Sequence, residues 1–370
     1  MDTTPVAGTP QVRLRWLLDP SPSRPAWLDD DEWIPRGERR LYSRVKHGLY
    51  TVLESMERTG TVLLPAYVPG GVTWAALAAG HDVRYYPVRE DLSLPADAVA
   101  DRIAETDAVA VVFVHYFGFV DDAFTDLVGA ARDHDALVIE DCARGLFARD
   151  PDHGLLGSTG DVALFCLHKT LPTPNGGLTV SRAGTPPAPH YDLAEWDTVP
   201  RAAAKATAHG LGLRMSSSPV VKRPNDRQPN AVSPEGSRPG IGSVSRRALS
   251  RCDPREIRTA RQSRYRVLRN LLSDNEAVDV VSPPASDVSV PFGVAALAES
   301  DEARRAYLHR LYQCGLPCEV LTWPPVYRHE AAMADKGAET LRSRLFVLPT
   351  HQQLDPGDVG RMAACLRDSR

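Results

Sequence analysis

The 370-residue sequence predicts an α/β fold: a large domain with a mostly parallel sheet covered by helices, followed by a smaller C-terminal α+β domain. Three observations support this expectation. Between residues 61 and 180, short and continuously apolar runs alternate with helical segments, the pattern of strands buried on both faces by crossover helices. The chain is too long for one simple core, so one large and one smaller domain is the natural division. A long stretch of turn formers at 216–243 then separates that alternation from a region of mixed helical and apolar runs.

Taken in order, residues 1–37 are rich in proline and acidic residues and read as an irregular N-terminal arm, with Trp16, Trp27 and Trp33 as anchors. In "ERRLYSRVKHGLYTVLESME" (38–57), Leu41, Val45, Leu49, Val52 and Leu53 recur at helical spacing, which predicts a helix. Strands are expected at 61–66, 82–88, 108–118, 136–141, 161–167 and 177–180, and helices at 70–80, 95–105 and 121–134. The large domain is expected to span 38–243 and to end in the loop 216–243, a length that is usually functional or disordered. The smaller domain, 244–370, contains Asp253-Pro254-Arg255-Glu256, where an N-cap, a proline at the first helical position and a capping-box glutamate open a helix to about Leu272. Apolar runs at 287–297 and 345–351 and helices near 301–314 and 355–367 complete it.

Composition narrows the function classes. A net charge of −4 argues against a general nucleic-acid binder. No apolar run approaches the ~20 residues that span a bilayer, and the N-terminus lacks the pattern of a signal peptide. The six cysteines form no CxxC pair and no zinc site, so a reduced cytoplasm and no metal are expected. Neither a P-loop, a GxGxxG turn nor HExxH occurs. Only five of the 43 basic residues are lysines (Lys46, Lys169, Lys205, Lys222 and Lys336), so lysine chemistry has few candidates.

One of these lysines stands where a buried strand stops. In "LFCLHKTLPTPNGGLTV" (164–180), Lys169 follows an apolar run and precedes a proline-stiffened Gly-Gly turn. Asp141 ends another apolar strand 28 residues earlier, and the aromatic stretch "VHYFGF" ends the strand before that. In parallel sheets, ligands sit outside the carboxyl ends of the strands, so His115, Asp141 and Lys169 are expected to share a cleft. Taken singly, each has a plainer explanation: a surface lysine, a capping aspartate, a satisfied interior histidine. Together they form the set a pyridoxal 5′-phosphate (PLP) enzyme requires: a lysine that bonds the cofactor and an aspartate that keeps its ring nitrogen protonated.

The stretch "IEDCARGLFARD…GLLGSTGDVALFCLHKTLPTPNGGLTV" resembles the core of the DegT/StrS-like sugar aminotransferases, which are fold-type-I PLP enzymes. "PAYVPGGVTWAALAAGHDVRYYPV", "VFVHYFGF" and "LFVLPTHQQL" are similar to further stretches of that family, so the likeness runs over about 40–370 and is weakest between 185 and 240. The resemblance implies a fold-type-I PLP-transferase-like architecture, a homodimer, and transfer of an amino group from an amino acid, glutamate or glutamine, to a keto group of a nucleotide-linked sugar. It makes Lys169 the cofactor lysine and Asp141 the partner of the ring nitrogen. It sets Arg144 where relatives carry Gln or His near the phenolic oxygen, and Cys166 where they carry a phosphate-binding serine. The family's phosphate turn has its nearest counterpart in "YSRVKHGLY", with Ser43, Arg44 and Lys46 near a helix start. Tyr67 is the candidate to cover the ring and His115 a candidate pocket residue. Some relatives carry histidine in place of the lysine and dehydrate their substrate; counting from Cys166 and Gly176-Gly177 favours Lys169 over His168. The loop 216–243 is expected to reach the neighbouring subunit.

Two other readings compete. Cys166 and the altered phosphate turn fit a catalytically altered or non-catalytic relative, dehydratase-like or a scaffold. The stripe 246–269, with nine arginines and two acids, suits nucleic acid as a minor alternative, a solvated helix face being the plainer reading.

Overall fold

The computed structural model describes residues 8–12, 24–192, 200, 204, 207, 238–316, 318, 319, 321–323, 326 and 334–367. The expected loop 216–243 lies almost wholly outside the described residues, as does Trp16. Chain order begins with β1 (Glu38–Tyr42), α1 (Val45–Glu54), β2 (Thr61–Pro65), α2 (Gly70–Ala78), β3 (Asp82–Tyr86) and α3 (Ala96–Thr106). It continues with β4 (Ala108–Val114), α4 (Phe124–Asp133), β5 (Leu137–Asp141), β6 (Val162–Cys166), the single helical turn α5 (Leu167–Thr170) and β7 (Gly177–Ser181). Two short strands, β8 (Tyr191–Asp192) and β9 (Pro239–Gly240), complete a nine-stranded sheet of order β8-β9-β1-β7-β6-β5-β4-β2-β3.

Strands β3, β2, β4, β5 and β6 run parallel, whereas β7 is antiparallel to β6 and β1 to β7. The parallel strands are buried on both faces, which is why they read as unbroken apolar runs rather than alternating ones. Helix α4 shows the complementary logic: Phe124, Leu127, Val128 and Ala131 fall on one face at i, i+3, i+4 and i+7, and all four are buried.

The C-terminal part holds α6 (Ser243–Leu249), α7 (Pro254–Ser273), β10 (Val278–Val280), β11 (Gly293–Ala298), α8 (Asp301–Gln313), α9 (Lys336–Arg344), β12 (Leu345–Pro349) and α10 (Pro356–Arg367). Strands β10, β11 and β12 form an antiparallel sheet in that order. Asp253 caps α7 by accepting hydrogen bonds from the Arg255 and Glu256 backbone N–H groups, with Pro254 behind it.

Several expectations are corrected. The helix expected from 38 begins at Val45, because residues 38–42 pair with β7 and leave the helical pattern to α1. The apolar run 287–297 becomes a strand only from Gly293, since the Ser286 hydroxyl accepts from Val288 and Ser289 N–H and folds the preceding residues into a turn. The arginines of α7 are structural ties as well as solvated groups. Arg261 is 1% exposed and donates to the Phe292 carbonyl at 3.1 Å, while Arg264 and Arg269 donate to the carbonyls of Leu354 and Ser282. Trp27 and Trp33 are buried edge-on against Phe147, at 5.3 and 5.9 Å between ring centroids. No helix among the described residues is long and apolar enough to cross a membrane.

Candidate active site

The carboxyl ends of β4, β5 and β6 converge on one cleft, lined by Pro69, Val114, His115, Tyr116, Phe117, Asp141, Ala143, Arg144, Lys169 and Trp323. Register explains the convergence. Asp141, the last residue of β5, lies opposite Val114 of β4 on one side and Leu164 of β6 on the other. A larger groove of about 560 Å³, lined among others by Arg89, Glu90, Asp335 and Lys336, lies elsewhere and lacks a lysine beside a buried carboxylate.

Asp141 is 3% exposed, and one of its carboxylate oxygens accepts the Ala143 N–H at 2.9 Å, which fixes the side chain at the strand end. Lys169 rides on α5, the helical turn that follows β6. Burial, and next the Arg144 cation, push the Lys169 amine below the ordinary lysine range, while Cys166, Asp141 and Glu319 oppose them. His168 does not line the cleft; burial, Arg44 and Lys169 push its imidazole down to about 3, so it stays neutral. Of the two neighbours, Lys169 and not His168 is therefore presented to the cleft.

The Gly-Gly turn has a structural reason. A Cβ on Gly177 would stand 2.5 Å from both the Arg44 carbonyl carbon and the Val45 nitrogen, so only glycine lets β7 abut the start of α1. Gly176 N–H donates to the Ser43 carbonyl at 2.8 Å, and Leu167 N–H to the Gly176 carbonyl at 3.0 Å. The lysine turn and the first turn of α1 are thus tied to one short backbone segment. That helix start carries Arg44 as N-cap and Lys46 in its first turn. Burial, followed by Arg44, lowers the Lys46 amine.

The remaining sequence-derived candidates take up varied positions. Cys166 is buried below the cleft, its Sγ 3.3 Å from His168 Nδ1, and burial raises its thiol, which stays protonated. Tyr67 does not line the cleft; it stands behind Trp323, with ring centroids 4.6 Å apart, and donates its hydroxyl to the Leu321 carbonyl at 2.6 Å. His115 does line it, anchored by Glu140, whose carboxylate lies 2.8 Å from Nε2 and also accepts the N–H groups of Gly157, Thr159 and Gly160. His115, Glu140 and Cys142 bring three potential metal-ligating atoms within 4.8 Å of one another, but this network already occupies the Glu140 carboxylate.

Sequence reasoning missed Glu319 and Trp323. Arg144 is 7% exposed and pairs with Glu319 at 3.1 Å, and its guanidinium stands 5.1 Å from the rings of both Phe292 and Trp323. Both residues come from a segment far along the chain without periodicity. It is placed by a bridge of Glu319 to Val347 of β12, which no local pattern announces.

These residues fit PLP. The donor set supplies an amine of depressed basicity, a fixed buried carboxylate in the same cleft, and a helix start with two cations beside the lysine turn. Residues 47–191, which include Asp141 and Lys169, match the model of the DegT/DnrJ/EryC1/StrS aminotransferase family. Nearly the whole chain shares the fold of solved aminotransferases. It is similar to Helicobacter pylori PseC, an aminotransferase involved in the biosynthesis of pseudoaminic acid (13% identity, 98% of each chain, TM-score 0.71). It is also similar to the aminotransferase TlmJ of Streptoalloteichus hindustanus (19% identity, 98% of each chain, TM-score 0.69). A third similar structure is the PLP form of the putative sugar aminotransferase Spr1654 of Streptococcus pneumoniae (14% identity, 98% of each chain, TM-score 0.68). No curated protein sequence matches the chain. The fold is that of solved PLP-form aminotransferases, and the cleft holds a lysine and a buried aspartate at the carboxyl ends of its strands. The match to the DegT/DnrJ/EryC1/StrS aminotransferase family lies within the large sheet region, and the structural likeness extends over both parts of the chain.

Proposed function

We propose that the chain moves an amino group from an amino acid, glutamate or glutamine, to a keto group of a nucleotide-linked sugar, acting as a homodimer in the cytoplasm. One observation carries the site: Lys169 and Asp141 line the same cleft, the lysine with its basicity lowered. The donor, the nucleotide-linked acceptor, the dimer and the compartment rest on family likeness and composition.

In this reading Lys169 bonds the cofactor, Asp141 holds a proton on its ring nitrogen, and Arg44, Lys46 and the start of α1 hold its phosphate. Bound PLP supplies an electrophilic carbon for amines and a ring that withdraws electrons. The Lys169 amine would act as the base that takes the proton from the substrate's Cα and holds it for return. A depressed basicity suits that work, because a larger share of the amine is neutral near pH 7. Trp323, Phe117 and Tyr116 wall the cleft with apolar surface and limit water around the transferred proton. Cys166 leaves a weaker donor than a hydroxyl near the phosphate, so that contact leans on the cations.

The test is absorption spectroscopy of the purified chain with PLP, before and after borohydride, combined with peptide mass mapping. The expected result is a visible band and a reduced adduct on Lys169. Lys169→Ala should lose both and all transamination while keeping the native circular dichroism. Asp141→Asn should retain the band and lose at least about a hundredfold in turnover. Full activity in either variant would refute this mechanism.

A further inference from the structure

Arg144 and Glu319 form an incomplete pair. The guanidinium lies among Phe117, Phe292 and Trp323, at 6.0, 5.1 and 5.1 Å from the ring centroids. Its Nη2 donates to Glu319 Oε1 at 3.1 Å. Arg144 Nε and Glu319 Oε2 are both buried without a hydrogen-bond partner among the described residues. Nε and Nη2 form one edge of the guanidinium, the edge that grips a carboxylate through two parallel hydrogen bonds. Here only one of the two is made.

The two partners differ in what they can do next. The Glu319 backbone is pinned, exchanging N–H to carbonyl bonds of 2.8 Å in both directions with Val347, so only its side chain is free to turn. That side chain is one-third exposed and has a route to water. The Arg144 side chain is 7% exposed and has none, so it retains an anionic partner from within the cleft. It also faces the same space as Lys169 and Asp141.

We propose that the Nε–Nη2 edge of Arg144 is the seat of a substrate carboxylate, and that Glu319 is a resident competitor whose carboxylate turns to solvent when the substrate binds. The inference rests on reading the cleft as an aminotransferase site, where the carboxylate is that of the amino-acid donor or its keto acid. A guanidinium has five donors, so this role leaves others for the cofactor contact that the family likeness implies. Glu319 fills the edge in the empty cleft and keeps a buried cation from being left alone.

The test is calorimetric titration of the full-length chain, with and without PLP, using succinate as an unreactive dicarboxylate, propionate as a monocarboxylate, and inorganic phosphate. Succinate should bind, and Glu319→Gln should tighten it by about threefold or more, because the competitor loses its charge. Arg144→Gln should weaken it by about tenfold or more. Propionate binding as tightly as succinate would assign the seat to a single carboxylate; weaker propionate would assign it to a donor with two. Unchanged or weaker binding in Glu319→Gln would overturn the proposal, since a merely structural pair gives no tightening. So would wild-type affinity in Arg144→Gln, or equal binding of phosphate. If Arg144→Gln fails to fold, the sign of the Glu319→Gln effect decides alone. The visible band of the PLP-loaded chain is read separately, so loss of the aminotransferase reading and loss of this seat are distinguishable.

Discussion

At the scale of single residues, the cleft is a problem in where one proton sits. Lys169 is disfavoured as a cation first by burial and then by the Arg144 charge, while Glu319 and Asp141 pull the other way. A lysine with a lowered pKa loses its proton at lower pH, so its amine becomes nucleophilic before ordinary lysines do. Labelling the cofactor-free chain with trinitrobenzenesulfonate, peptide by peptide, should therefore give Lys169 a reaction midpoint below that of exposed Lys336. Arg144→Gln removes a neighbouring cation and should move the midpoint up; Glu319→Gln removes a neighbouring anion and should move it down. Unchanged midpoints in both variants would mean that burial alone sets the amine, with no part for the Arg144–Glu319 pair.

At the scale of elements, the contact that brings the start of α1, with Arg44 and Lys46, beside the lysine turn is Gly177. Alanine there places a Cβ 2.5 Å from two backbone atoms of Arg44 and Val45, neither of which can turn away as a side chain would. Gly177→Ala should cost about 1–3 kcal/mol, the scale of overpacking, and weaken PLP binding by pushing the start of α1 from α5. Urea unfolding and a PLP titration measure the two losses; a loss of stability with unchanged PLP affinity would uncouple them. Much of this arrangement was legible in the sequence. The parallel strands announced themselves as apolar runs because both of their faces are covered, and Asp141 and Lys169 stood at strand ends for the same reason. What escaped was set by partners distant in the chain. Residues 38–42 carry a helical pattern, yet their backbone pairs with β7. Glu319 is brought to Arg144 through its bridge to Val347, and Trp323, not Tyr67, joins Tyr116 and Phe117 in lining the cleft.

At the scale of the whole molecule, the lysine turn is held from outside the large sheet. The Thr170 carbonyl, which ends α5, accepts from Arg261 Nη2 of α7 at 3.4 Å and from Gln352 Nε2 at 3.1 Å. Arg261 is buried and also holds the Phe292 carbonyl, while Phe292 stands against Arg144. One arginine of a helix whose composition suggested a charged surface therefore ties the C-terminal part to both the lysine turn and the Arg144 cage. Arg261→Ala should remove one donor from each of two buried carbonyls, which keep Gln352 and the Thr350 hydroxyl, at about 0.5–1.5 kcal/mol for each bond lost. If the tie also positions α5, the variant should bind PLP more weakly and label at Lys169 with an altered pH midpoint. Arg266 lies on the same helix and pairs with the exposed Asp287. Its replacement by alanine should leave stability, PLP affinity and midpoint as they were, because an ion pair in solvent contributes little. Destabilisation in Arg261→Ala without any change at Lys169 would make the arginine a brace of the fold alone. Changes in both would mean that the C-terminal part sets the position of the reactive amine.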